Sequence, residues 1–218
     1  TGGGFGRMGR DADVMHSKQA EDIIINVGST QSLAVKSAIH TPLVFDDPMR
    51  FQRSYWMNQV DFSSSAELSY KSSNHEFLKA VDLTAKSSAR RIRKAWSDYE
   101  TNVDYGIVPM DLPKVASCID AGLETQLYHV SFRNNAFDTH VQQPNLHRRL
   151  LSYASDAIFG FVNDLQRLGH SDRVVVMVYS EFGRRVPENA NLGTDHGSAN
   201  NMFFIGNRVN GGHYGVFP

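Results

Sequence analysis

The sequence predicts an α/β protein built on a largely parallel sheet, and three observations predict it. Two apolar runs, 22–28 and 174–179, are rich in β-branched residues and stop at glycine or a polar turn, as short buried strands do. A long amphipathic stripe lies between two strand-like runs, which gives the order strand, helix, strand. The 218 residues are 41% hydrophobic and 21% charged, ordinary for a globular chain, and read as a single domain over 1–218.

Composition also excludes whole classes of partner. A formal net charge of −1 provides no overall field for nucleic acid or a lipid surface. The single cysteine, Cys118, rules out an internal disulfide and a cysteine-rich zinc site. No apolar run approaches the roughly 20 residues that cross a bilayer as a helix, and no signal-peptide pattern occupies the start. The chain opens at Thr1 without an initiator Met and stops at Pro218 after a glycine-rich turn, so it is expected to be a fragment, incomplete at both ends.

Gly4-Phe5-Gly6-Arg7-Met8-Gly9 matches the spacing of a dinucleotide-binding loop. That loop needs a preceding strand to aim it, and none is present, so a flexible turn is expected instead. Asp22 to Gly28 is the first strand. From Ser29 to Ser73 the pattern is irregular: Thr41-Pro42, Asp47-Pro48 and Ser63-Ser64-Ser65 break it, and Phe45, Phe51, Tyr55 and Trp56 are candidates to pin it to a core.

Ser73 or Asn74 is placed to cap a helix carrying Phe77, Leu78, Val81, Ala89, Ile92 and Trp96. Lys86, Arg90, Arg91, Arg93 and Lys94 crowd its second half, where cations offset the helix dipole. Without interleaved aromatics they read as a solvated face, with no nucleic-acid partner. After Pro109, Asp111 caps a second helix that Gly122 stops, and 125–132 forms a strand in which His129 reads as a core histidine. The stripe Leu146, Leu150, Ala154, Ala157, Ile158, Phe161, Leu165 and Leu168 forms the longest helix, closed by Gly169.

A strand, a long helix and a second strand make a crossover in which the two strands run parallel. Asp138 and His140 would then leave the same sheet edge as Glu181, where α/β proteins hold ligands. With Asp195-His196 they offer carboxylates and imidazoles without thiolate, a donor set that suits zinc, manganese or a related divalent ion. Each has a plainer reading. Asp138 can cap a turn, His140 can be a loop residue, Asp195-His196-Gly197 can be an ordinary turn, and Arg184 or Arg185 can neutralise Glu181. Arg184 and Asn189 are candidates to bind an anionic ester group, and His147, at the start of the long helix, to support a ligand from behind.

Four blocks carry a resemblance: Phe137-Asp138-Thr139-His140 with Gln143, Ser180-Glu181-Phe182-Gly183-Arg184 with Glu188-Asn189, Gly193-Thr194-Asp195-His196-Gly197, and Gly211-Gly212 with Tyr214-Gly215 and Pro218. In order and spacing they resemble the family catalogued as domain of unknown function 1501, which is similar to the alkaline phosphatase and sulfatase superfamily. Asn135-Ala136 stands where that family usually has glycine. The resemblance implies an alkaline-phosphatase-like α/β/α sandwich, here partial, with helices on both faces. It implies a site of two divalent ions (zinc, manganese, or calcium or magnesium), with Asp138, His140 and His196 serving one ion and Glu181 the other. Asp195 would be a supporting or turn residue.

The superfamily's nucleophile and first metal-binding Asp lie upstream of anything in this sequence, so the resemblance implies a catalytic segment outside the chain. Two functions follow as expectations. The first is metal-dependent hydrolysis of a small phosphate or sulfate ester, in an exported protein. The second is a non-catalytic binding or surface-associated protein that keeps the fold.

Overall fold

A computed structural model describes residues 7–15, 22–50, 73–132 and 135–216, with the backbone alone at Arg7 and over 73–85. Gly4 to Gly6, His16, Phe51, Tyr55, Trp56 and Ser63 to Ser65 lie outside these residues, as do the side chains of Phe77, Leu78 and Val81. The chain divides into two compact units, residues 1–100 with 117–130 and residues 101–116 with 131–218.

The first unit is organised on a parallel sheet of order β2-β1-β3, formed by Ile24–Val27 (β1), Leu43–Phe45 (β2) and Leu127–Val130 (β3). Ile25 pairs with Leu43 on one side and with Tyr128 on the other. β1 is buried along its whole length, as the central strand of a parallel sheet must be. Ile24, Ile25 and Val27 each contribute about 1.5–3 kcal/mol by leaving water. Asn26 interrupts that run without an unpaired amide, because its Nδ2 donates to the Thr30 carbonyl (3.0 Å) and its Oδ1 accepts from the Ser32 N–H (3.1 Å).

Of the stretch expected to be a flexible turn, Gly4 to Gly6 lie outside the described residues, and Arg7, Met8 and Gly9 begin a helix, Arg7–Met15 (α1). Gly9 sits there for closeness, since a Cβ would stand 2.3 Å from the Lys36 carbonyl oxygen. The helix Ser73–Asp98 (α2) buries Ala89, Ile92 and Ala95. Its basic run is partly paired: Arg91 reaches the buried Asp22 (3.3 Å), which also accepts from Ser88 (2.6 Å), and Lys94 pairs with Asp98. Leu112–Asp120 (α3) stops as predicted at Gly122, whose φ of +69° suits glycine. The Leu123 N–H returns to the Cys118 carbonyl there (3.2 Å), closing the last turn.

The second unit is organised on Gln143–Arg167 (α4), the predicted long helix. Leu150, Ala157, Phe161 and Leu165 form its buried stripe. Gly160 lets segment 104–105 lie against the helix, since a Cβ would stand 2.5 Å from the Asp104 carbonyl oxygen. Asp164, unmarked by periodicity, is fully buried and accepts from Thr101 (3.0 Å), Tyr105 (2.8 Å) and Arg167 (2.7 Å).

The parallel crossover is corrected by the pairing. Val176–Val178 (β4) pairs antiparallel with Phe203–Ile205 (β7), whereas β3 pairs with β1. The apolar run after the polar loop returns to β4 and takes up its hydrogen-bonding groups. Among the described residues the parallel sheet therefore has three strands, and the rest of the strand structure is antiparallel ribbon.

Candidate metal centre

Two segments of the second unit build the site. The first leaves β3 and enters α4. Phe137 is held edge-on by Phe132 (5.0 Å between ring centroids) and by His147 (5.6 Å). Thr139 turns inward and is buried, while its neighbours Asp138 and His140 keep side chains that are 42% and 39% exposed. That alternation places the two donors together at the surface.

The second segment is a tight ribbon, Gly183–Arg184 (β5) against His196–Gly197 (β6), with Gly183 opposite Gly197 and Arg184 opposite His196. Both glycines are required by the close approach of the two backbones. A Cβ on Gly183 would lie 2.6 Å from the Gly197 carbonyl oxygen, and one on Gly197 would lie 2.6 Å from the Arg185 nitrogen.

Polar side chains then fasten the segments to each other. Arg184 donates to the carbonyls of Thr194 (2.5 Å) and Phe137 (2.7 Å). Asn189 donates to the His140 carbonyl (3.1 Å) and to Asp195 (3.0 Å), and accepts from the backbone of Asn191 (2.9 Å) and Gly193 (3.1 Å). Gln143 links Thr139 to Thr194 through two bonds of 2.9 Å. Gly193 is pressed against the first segment, since a Cβ there would meet the His140 carbonyl oxygen at 2.2 Å.

The outcome is a cluster of Asp138, His140 and His196, with one donor atom from each lying within 4.8 Å of the others. His196 Nε2 lies 2.7 Å from Asp138 Oδ1, and His140 Nδ1 lies 3.6 Å from the same oxygen. The two imidazoles are tilted against each other with centroids 4.8 Å apart. Phe182 stacks on His196 at 4.0 Å.

The other predicted residues fall around this cluster. Asp195 faces Asn189, and the N–H groups of Asn189 and Arg184 point into the scaffold. His147 is half-buried against Phe137, and burial together with Arg184 lowers its pKa, so the ring favours its neutral form. Glu181 is exposed in the turn between β4 and β5 and does not join the three donors. A cleft of about 450 Å³ adjoins the scaffold, lined by Gln143, His147, Arg148, Leu151, Arg184 and Thr194.

Sequence reasoning missed the roles of Phe182, Gln143 and Gly193. Phe182 and Gln143 lie inside the blocks that carry the resemblance, with nothing in residue type to reveal their contacts. Gly193 carried a usable signal, because a glycine three positions before a candidate ligand can mark a close backbone approach as well as a turn.

Fold and site together define a mixed α/β protein with a surface cluster of two imidazoles and one carboxylate. The chain belongs to the family described as protein of unknown function (DUF1501), whose model matches residues 6–218. No curated protein and no solved structure matches it.

Proposed function

We propose that Asp138, His140 and His196 hold one divalent cation, and that the protein acts in the hydrolysis of a small phosphate or sulfate ester. The observation that carries the reading is the meeting of donors from two blocks, Asp138 and His196 being separated by 58 positions. The residues fit such an ion. Donors about 2.0–2.1 Å from a tetrahedral zinc stand about 3.3 Å apart; His140 Nδ1 stands 3.6 Å from Asp138 Oδ1, and the 2.7 Å hydrogen bond between His196 and Asp138 would open to admit the ion. Two imidazoles with one carboxylate suit zinc or manganese better than calcium or magnesium, which prefer oxygen.

A bound ion would supply Lewis acidity for an ester oxygen and for water. The chain's own part is to hold the donors in place through Arg184, Asn189 and Gln143, and to favour an anion through the exposed Arg148 of the adjoining cleft. The ester class rests on the likeness to the alkaline phosphatase and sulfatase superfamily, which also implies an exported protein and a second ion served by Glu181.

A second reading is a protein that binds a metal without turnover. It is favoured by the engagement of Thr139, a hydroxyl flanked by two of the donors, which is buried and accepts from Gln143. Turnover of aryl phosphate and aryl sulfate by the zinc- or manganese-loaded full-length protein, with and without chelator, separates the two. Chelator-sensitive turnover supports the hydrolase. Stoichiometric metal without turnover supports the second reading, and no metal in the wild-type protein overturns both.

A further inference from the structure

We infer that Phe182 is a positioning residue that sets the plane of the His196 imidazole and thereby the affinity of the centre. The inference rests on the reading of Asp138, His140 and His196 as a metal site. His196 sits on a two-residue strand with 45% of its side chain exposed, so the burial that usually fixes a ring is slight. The contact with Asp138 fixes one atom, Nε2, and the His140 ring meets the imidazole at a tilt of 41°, so neither of them lies flat against a face of the ring. Phe182 supplies what is missing. Its ring lies 4.0 Å from the imidazole with 16° between the planes, and this face-to-face contact restricts the swing of the imidazole.

Phe182 is itself held in a fixed place. It directly precedes β5, whose Gly183 pairs with Gly197, the neighbour of His196. Its ring is also within cation–π reach of Arg184, 5.0 Å from guanidinium carbon to ring centroid. Arg184 is anchored to the carbonyls of Phe137 and Thr194, so the stack is tied to both segments that carry the donors. Orienting a ligand ring before the ion arrives lowers the cost of binding, in the way that hydrogen-bond partners of metal-bound imidazoles do.

The experiment is a Co²⁺ titration of the wild type, Phe182→Leu and Phe182→Tyr, read by the visible absorption band, with the melting temperature of each metal-free protein measured alongside. Phe182→Leu is expected to bind about tenfold more weakly and to shift the band. Phe182→Tyr, which keeps the ring, is expected to retain both, with all three metal-free proteins melting alike. Phe182→Met, which fills similar space without a ring, gives the same readout should Phe182→Leu fail to fold. Wild-type affinity and band in the Leu or Met variant would overturn the role of Phe182 while leaving the centre standing. Equal weakening by Tyr and Leu would overturn the stacking argument, and no Co²⁺ binding by the wild type would overturn the centre and this inference with it.

Discussion

His196 Nε2 lies 2.7 Å from Asp138 Oδ1 across 58 positions of sequence, so the two side chains hold each other before any ion is considered. His140 completes the set and Glu181 stands outside it. Asp138→Ala, His140→Ala and His196→Ala are each expected to weaken Zn²⁺ binding by more than about 100-fold. Glu181→Ala should leave it within about twofold by the same standard. Metal analysis after desalting, at limiting zinc, measures all four.

Gly193 offers a test that touches no donor. An added methyl at 2.2 Å from the His140 carbonyl oxygen forces one of two backbones to move. Gly193→Ala is expected to destabilise the fold by about 1–3 kcal/mol and to weaken zinc binding about tenfold. Urea denaturation with a parallel metal titration reads both effects.

Asp164 is expected to matter for stability alone. Asp164→Ala removes the acceptor for Thr101, Tyr105 and Arg167. The cost should be about 3 kcal/mol, since the buried Tyr105 hydroxyl loses its partner and the ion pair with the half-exposed Arg167 is broken. Denaturation midpoints report it, and zinc affinity of the folded fraction should stay at the wild-type value.

Acid should weaken the fold through two imidazoles. Burial lowers the pKa of His129, and burial with Arg184 lowers that of His147. The unfolded chain takes up these protons near pH 6.5, whereas the folded chain does so at lower pH. Between those values the unfolded state binds more protons, so stability falls as the pH drops from about 6.5 through the folded pKa values. Urea midpoints at pH 7.5 and 5.5 should show the loss, and His147→Gln should remove part of it.

Cys118 should be silent in the native protein. Burial, with the charge of Asp22 adding to it, pushes its thiol up to about 12. A thiol reagent at neutral pH is expected to label it only after denaturant is added, which an absorbance assay of thiol content checks.

Much of this fold was legible because periodicity reports burial. The stripe Leu150, Ala157, Phe161 and Leu165 gave α4, the run around Ile25 gave β1, and Gly122 gave the end of α3. Strand pairing was not legible, because an apolar run such as 174–179 carries no mark of which edge will meet it. β7 took β4 into an antiparallel ribbon that a crossover rule does not foresee. The donors Asp138, His140 and His196 were visible as residue types. What joins them is a set of hydrogen bonds from Arg184, Asn189 and Gln143 to carbonyls and hydroxyls, and such bonds leave no spacing pattern in a sequence. Asp164 shows the opposite failure, a carboxylate that helical spacing alone does not flag as core.

The fastening of the site by Arg184, Asn189 and Gln143 has a consequence for the order of assembly. In a zinc finger the ion folds the chain, because its ligands have no other means of meeting. Here His196 lies 58 positions from Asp138, and an ion bridging them in the unfolded chain would have to close that loop first. The scaffold closes that loop with protein bonds alone. Metal insertion is thus expected as a late step on an already folded chain, and a chelator should strip the ion while leaving the far-ultraviolet circular dichroism of the protein intact.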